Sequence, residues 1–231
     1  MQRTSLAYRT IHTWNRNPAD EEAMGAAHAP IWRRMIDVSI HGSLRDSTIL
    51  DYGCNQGGFL RMLYDRHPFR AATGIDIARE SVARAELLKG QRPIDYKVGH
   101  SAAALGSTFH FAFSHEVLYL LPDLAAHAAD MKAALRPGGV YIAAMGCHKD
   151  SAVWSRWRKL ISETSSIPIY DHSLDSVAKA FSEAGFTVGV RPLDLDAFMP
   201  VTVGSEYFPK VVDQLRYYSQ DKVLFRFVRT P

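Results

Sequence analysis

Thr48-Ile-Leu-Asp51-Tyr-Gly53-Cys-Asn55-Gln-Gly57-Gly-Phe59-Leu-Arg-Met62-Leu63 runs from a β-favouring apolar stretch, through an aspartate and a cluster of glycines, into apolar residues at helical spacing. The pattern predicts strand, tight loop and helix. Glycines at 53, 57 and 58 let backbone N–H groups approach a ligand closely, and the helix start offers unpaired donors to a carboxylate or phosphate. A nucleotide-cofactor site is the expectation.

The rest of the chain is compatible with one such site. Its 231 residues, 47% hydrophobic, suffice for one substantial α/β core. A formal charge of +3 is scattered along the chain and neither requires nor excludes nucleic acid. Cys54 and Cys147 lie far apart and lack metal-ligand spacing, so neither zinc nor a disulfide scaffold is suggested. No apolar run approaches a membrane span and no signal-peptide pattern opens the chain, so a soluble, cytoplasmic protein without a membrane partner is expected.

Residues 1–45 read as helical. Asn17-Pro18 followed by Asp20, Glu21 and Glu22 has the form of a helix start, and Pro30 is expected to break or kink the helix beyond it. Ile31, Trp32, Met35 and Ile36 recur at helical spacing. Tyr8, Trp14 and Trp32 could close over a cofactor, although packing on a sheet is the simpler role.

After the glycine loop, 71–77 reads as a second buried strand ending at Asp76, and 79–89 as its helix. An acid at that strand end can accept hydrogen bonds from both hydroxyls of a ribose, or merely cap the helix. The runs 94–99, 109–114 and 140–145 predict three further strands, with a helix on Leu124, Ala128, Met131 and Leu135 stopped by Arg136-Pro-Gly-Gly139. Alternation of strands and helices points to a parallel sheet. The loop itself lacks the second glycine of a dinucleotide fingerprint, which makes a nicotinamide dehydrogenase the poorer reading.

Four segments in this order carry a resemblance: Ile-Leu-Asp-Tyr-Gly-Cys-Asn-Gln-Gly at 49–57, Gly-Ile-Asp-Ile at 74–77, Phe-His-Phe-Ala-Phe-Ser-His-Glu-Val-Leu-Tyr-Leu-Leu at 109–121, and Leu-Arg-Pro-Gly-Gly-Val-Tyr-Ile at 135–142. Together with Ser-Glu-Ala-Gly-Phe-Thr-Val at 182–188, the chain resembles class I S-adenosylmethionine-dependent methyltransferases over about residues 45–193 and again at its last strand. The resemblance implies a Rossmann-like α/β fold with a seven-stranded, mostly parallel sheet, an antiparallel last strand and helices on both faces. An N-terminal helical cap over 1–45 would precede an S-adenosylmethionine-binding domain over 46–231, with 194–221 inserted as a lid or interface.

Carried across, the resemblance places Asp51, Gly53, Asn55 and Gly57 around the methionine end of S-adenosyl-L-methionine. Asp76 would hold the ribose, Ile77 the adenine face, His100 and Ser101 the adenine edge, and His115 and Glu116 the sulfonium end. Asn55 stands where the family loop usually has glycine, and His100 where it often has an acid. His115 and His148 are the candidate general bases for a hydroxyl acceptor. Glu116, Tyr119, Phe198, Tyr207 and Phe208 are the candidate acceptor pocket, and the 194–221 segment is a candidate homodimer surface.

A small-molecule acceptor is the leading expectation, since Ser-His-Glu-Val at 114–117 is not the Asn/Asp-Pro-Pro-Tyr of many nucleic-acid amino methyltransferases, no acidic cluster suggests a metal, and no nucleic-acid module is visible. Two alternatives stay open: an RNA or protein methyltransferase using Trp154, Trp157 and the basic residues Arg156, Arg158 and Lys159, or a noncatalytic S-adenosylmethionine-binding protein.

Overall fold

The computed structural model describes residues 11–201 and 204–231. Its centre is a seven-stranded sheet: β1 (Thr48–Tyr52), β2 (Ala71–Asp76), β3 (Ile94–Val98), β4 (Phe109–His115), β5 (Leu135–Met145), β6 (Phe186–Pro192) and β7 (Val223–Arg229), in the order β3-β2-β1-β4-β5-β7-β6. Pairing is parallel from β3 through β5, and β7 runs antiparallel to both β5 and β6. The order reverses beside β1, so the C-terminal ends of β1 and β4 open on the crevice where doubly wound sheets bind ligands.

Each central strand is buried on both faces, which is why it reads as a continuous apolar run. Leu50, Ala112, Tyr141 and Phe225 enter one core, while their neighbours Ile49, Phe113, Ile142 and Leu224 enter the other. The first core is closed by α4 (Leu124–Ala134), α5 (Trp154–Thr164) and α6 (Leu174–Glu183), through Met131, Ile161 and Phe181. The second is closed by α1 (Pro18–Ser39), α2 (Gly58–Arg66) and α3 (Arg79–Leu88), through Met35, Leu60 and Val82. Burying each of these large side chains contributes roughly 2 kcal/mol.

Three expectations change. Pro30 does not end α1; apolar anchoring by Ile31, Met35 and Ile36 beyond it offsets the hydrogen bond that proline removes. Residues 11–17 are not helical but form an extended strap, while Tyr8 lies outside the described residues. Arg136–Gly139 does not precede β5 but bulges out of it, because Phe109 pairs with Leu135 and Phe111 already pairs with Val140. Between β6 and β7 lies α7 (Val211–Arg216), continued by a π-helical turn over Tyr217–Asp221.

Candidate functional site

The glycine loop is built so that only its own residues fit. Gly53 has φ 77°, and a Cβ there would lie 2.4 Å from Val117 Cγ2. Gly57 has φ 72°, and its Cβ would meet the Tyr96 ring at 2.4 Å. Both the torsion and the contact exclude larger residues. The N–H groups of Gly53 and Cys54 donate to the Ile75 carbonyl at 2.8 and 3.0 Å, which ties the loop to β2.

Asn55 is left-handed too, at φ 45°, a conformation asparagine tolerates. Its N–H donates to Asp76 Oδ2 at 2.9 Å, and its own Oδ1 accepts the Gln56 N–H at 2.6 Å. Its side chain therefore braces the loop from within. Asp76 Oδ1 accepts the Ala78 N–H at 2.8 Å, which fixes the turn before α3 without capping that helix, whose first turn has no side-chain cap. Each Asp76 oxygen keeps lone-pair capacity beyond its one backbone donor.

One cavity of about 960 Å³ spans this loop and the ends of β1, β2, β4 and β5. Asp51, Gly53, Asn55, Asp76, Ile77, His115, Glu116, Tyr119, Tyr207 and Phe208 all line it. Gly57, His100, Ser101, His148 and Phe198 do not. Gly57 sits one residue inside the wall, its carbonyl taken by the Tyr96 hydroxyl at 2.9 Å. Gly99 reaches the cavity, but the His100 carbonyl accepts from Tyr52 Oη at 2.8 Å, and Ser101 Oγ donates to Asp130 of α4. Phe198 is fully exposed and borders a separate hollow of about 230 Å³.

Asp51, buried, and Asp76, half-buried, share the cavity, and among the described residues neither forms an ion pair. Burial, reinforced by the charge of Asp76, pushes Asp51 up to about 8. Burial also raises Asp76, against the opposing hydrogen bonds from the backbone of Ala78 and Asn55. Such a pair favours a cationic guest, which lowers the energy of ionising both.

Just past β4, Glu116 adopts φ 54° and turns its carboxylate onto the exit of β5. Its oxygens accept the N–H groups of Gly146 at 2.9 Å and Cys147 at 3.2 Å, and Lys222 Nζ closes a buried ion pair with it. Burial alone would raise Glu116, but the charge and hydrogen bond of Lys222 outweigh that and hold it below the usual carboxylate range. This acid is committed to the protein.

His115 lies against His28 of α1, ring centroids 4.5 Å apart and nearly perpendicular. Trp32 Nε1 donates to His115 Nδ1 at 3.2 Å, and Nε2 has no hydrogen-bond partner among the described residues. Burial, then the charge of Lys222, holds His115 well below its ordinary value; burial lowers His28 to about 4. Both rings are neutral at physiological pH. His148 is fixed elsewhere: its buried ring donates from Nε2 to the Asp221 carbonyl at 2.7 Å, tying the β5 exit to the π-helical turn. It is not among the residues that line the cavity.

The strap and α5 complete the walls. Ile11 and His12 carbonyls accept from Arg79 and Glu80 at the start of α3, and Trp14 and Arg16 pair with Ser166 and Thr164 at the end of α5. Glu21 of α1, buried, accepts the N–H groups of Trp14 and Asn15 and the Ser81 hydroxyl. On α5, Trp154 Nε1 donates to Asp171 and Trp157 Nε1 to the Tyr207 carbonyl, with the Trp157 ring packed on Tyr207, Phe208 and Tyr217. Both indoles are thus occupied, and the basic residues Arg156, Arg158 and Lys159 form the helix's outer face. Sequence reasoning missed His28, Glu21 and Lys222. Nothing in helical spacing distinguishes the first two, whereas a lysine opening the apolar run 222–228 was a readable anomaly.

The model of a family described as a methyltransferase domain matches residues 21–189. A ubiquinone biosynthesis O-methyltransferase of Paramagnetospirillum magneticum is 35% identical over 111 residues, a match spanning 47% of this chain and 44% of that relative's length. The chain thus covers less than half of the curated relative it matches. Among solved structures, the complex of the Haloferax volcanii Trm112 methyltransferase activator with a putative methyltransferase contains a chain matched at TM-score 0.76 and 20% identity, covering 93% of this chain and 95% of that one. An S-adenosylmethionine-dependent methyltransferase from Mesorhizobium loti matches at TM-score 0.64 and 20% identity, covering 89% and 99%. At such identities the structural matches speak for the fold alone.

Proposed function

The chain belongs to the methyltransferase-domain family, of the class I S-adenosylmethionine-dependent type, and on that premise we propose that it transfers a methyl group from S-adenosylmethionine to a small-molecule acceptor enclosed in the cavity. The carrying observation is the cavity itself: one space is lined both by Asp51 and Asp76, neither in an ion pair among the described residues, and by a largely apolar, aromatic set of side chains.

The acids fit the cofactor, which carries a positive ammonium and a positive sulfonium. Asp51 and the backbone at Gly53 and Asn55 would hold the methionine end, Asp76 the two ribose hydroxyls, and Ile77 a face of the adenine. The bound cofactor supplies an already activated electrophilic methyl group, so the protein's task is alignment and exclusion of water. Tyr119, Tyr207, Phe208 and Trp157 wall the acceptor side, and the strap over residues 11–17 closes it from above. An aromatic chamber of this kind suits a flat or apolar guest.

His115 contributes no base in this arrangement. The indole N–H of Trp32 occupies the lone pair of its Nδ1, and a neutral ring whose Nδ1 accepts must carry its proton on Nε2. Methyl-labelled S-adenosylmethionine incubated with the protein and a panel of small oxygen, nitrogen and carbon nucleophiles tests the proposal, with structured RNA and unfolded protein as comparators. Label entering one small-molecule class is the expected result. Label entering only RNA or protein, or none at all despite cofactor binding, would overturn it.

A further inference from the structure

On the methyltransferase reading, the polar atoms that open on the acceptor side define the chemistry of the guest. An atom that reaches the cavity without a partner in the protein can recognise a bound molecule, whereas an atom sealed in the core cannot. Trp14 Nε1, His115 Nε2 and His148 Nδ1 are of the sealed kind. Tyr119 Oη and Tyr217 Oη differ: neither has a hydrogen-bond partner among the described residues, neither is sealed off, and both residues line the cavity although almost all of each ring is buried.

The fold brings these hydroxyls to one region. Tyr119 lies in the short 3-10 turn Leu118–Leu120 just past β4, and β4 pairs with β5 up to His115 and Ala144, so the two strand exits lie side by side. Tyr217 comes from the π-helical turn beyond α7. There the Lys222 N–H donates to the Tyr217 carbonyl at 2.7 Å, five residues back, and this wider turn sets Tyr217, Tyr218 and Lys222 together on the cavity. A Cβ on Gly146 would overlap Tyr217 Oη, so that hydroxyl rests on the backbone at the β5 exit. Burial raises both phenols, Cys147 and Glu116 add to it, and Tyr119 itself contributes to raising Tyr217. Both therefore stay protonated and able to donate.

We propose that Tyr119 and Tyr217 form the polar recognition point of the acceptor subsite, and that the acceptor is an uncharged molecule with a hydrogen-bonding oxygen on an apolar frame. The frame follows from the walls, where Trp157, Tyr207, Phe208 and Tyr218 offer rings. The oxygen follows from two phenolic donors that the protein leaves unmatched, since a guest without an acceptor atom would strip their water and return nothing. The lack of charge follows from the surroundings. Lys222 is balanced by Glu116, His28 is neutral, and Asp51, at the β1 end beside β4, would be matched by the positive groups of the cofactor. A charged acceptor would lose its hydration with no opposite charge left to compensate it.

The test uses four small ring compounds titrated into the protein with S-adenosylhomocysteine bound: acetophenone, its hydrocarbon isostere α-methylstyrene, benzoate and benzylammonium. Acetophenone is expected to bind about fivefold or more tightly than either ion. Tyr119→Phe and Tyr217→Phe, which keep the rings, should each weaken acetophenone about fivefold and leave α-methylstyrene unchanged, with thermal melting as the check on folding. Gly146→Ala, which pushes the Tyr217 hydroxyl aside, should reproduce the effect of Tyr217→Phe. Equal losses for acetophenone and its isostere, tighter binding of either ion, or acetophenone that fails to bind beside S-adenosylhomocysteine would each overturn the inference. If S-adenosylhomocysteine itself does not bind the wild-type protein, it is the methyltransferase reading that has failed.

Discussion

At the scale of single residues, two charges decide how the site behaves. Asp51, held at about 8 by burial and by Asp76, has a folded-state value far above that of an unfolded carboxyl. The folded protein therefore binds this proton more tightly, and the contribution of Asp51 to stability falls as pH rises from about 4 to 8, by about 1.4 kcal/mol per unit. Asp51→Asn is expected to flatten that dependence in urea melts, leaving the cofactor-free protein more stable than wild type at pH above about 8. The same variant should bind S-adenosylhomocysteine more weakly and lose the rise in affinity with pH that the wild type shows below about 8. A wild-type affinity flat in pH would show that Asp51 is not part of the cationic subsite. Glu116 and Lys222 present the opposite case, a buried pair that already satisfies itself. Glu116→Gln leaves the ammonium unpaired and should destabilise the fold by about 3–5 kcal/mol, while adding Lys222→Met should restore much of the loss. These roles were only partly legible. Asp51, Asp76 and the glycines could be read because they sit at strand ends and turns with a local pattern, whereas Glu116 looked like a pocket acid because its partner Lys222 lies 106 positions away, just before β7.

Secondary-structure elements show the same division. The α6 helix is set by local chemistry: Ser173 caps it, its hydroxyl accepting the Ser176 N–H at 3.0 Å while its own N–H donates to the Ser176 hydroxyl oxygen at 3.0 Å. Ser173→Ala should cost about 1 kcal/mol in thermal or urea melts. The strap was not readable, since its backbone hydrogen bonds go to the start of α3, to Glu21 of α1 and to the end of α5, all distant from a local turn or helix pattern. Glu21 pins it by accepting from Trp14, Asn15 and Ser81. Removing that carboxylate with Glu21→Ala leaves three donors unmatched, so protease cleavage within residues 11–17 should accelerate and stability should fall by on the order of 2 kcal/mol. Unchanged cleavage kinetics would mean the strap is held by its backbone bonds alone. The Arg136–Gly139 bulge and the uninterrupted α1 make a related point. Proline and glycine mark where a backbone can turn, and tertiary pairing decides whether it does.

Across the whole molecule, strand order, the antiparallel last strand and the position of the crevice follow from the alternation of apolar runs and helices, which is why the architecture was visible in the chain. The acceptor chamber was legible only in part: Glu116, Tyr119, Tyr207 and Phe208 line the cavity as read, whereas α1, α5, α7 and the strap contribute from separate segments, and only folding brings His28, Trp157 and Tyr217 to it. Among the described residues no helix is long and apolar enough to cross a membrane. Whether Asp51 and Asp76 hold S-adenosylmethionine is tested most directly by calorimetric titration of S-adenosylhomocysteine into wild type and Asp76→Ala. Wild type should bind one equivalent, and the variant should lose on the order of 3 kcal/mol, about a hundredfold in affinity, with its fold intact by thermal melting. No binding to the wild type at about millimolar ligand, or full affinity retained by Asp76→Ala, would contradict it.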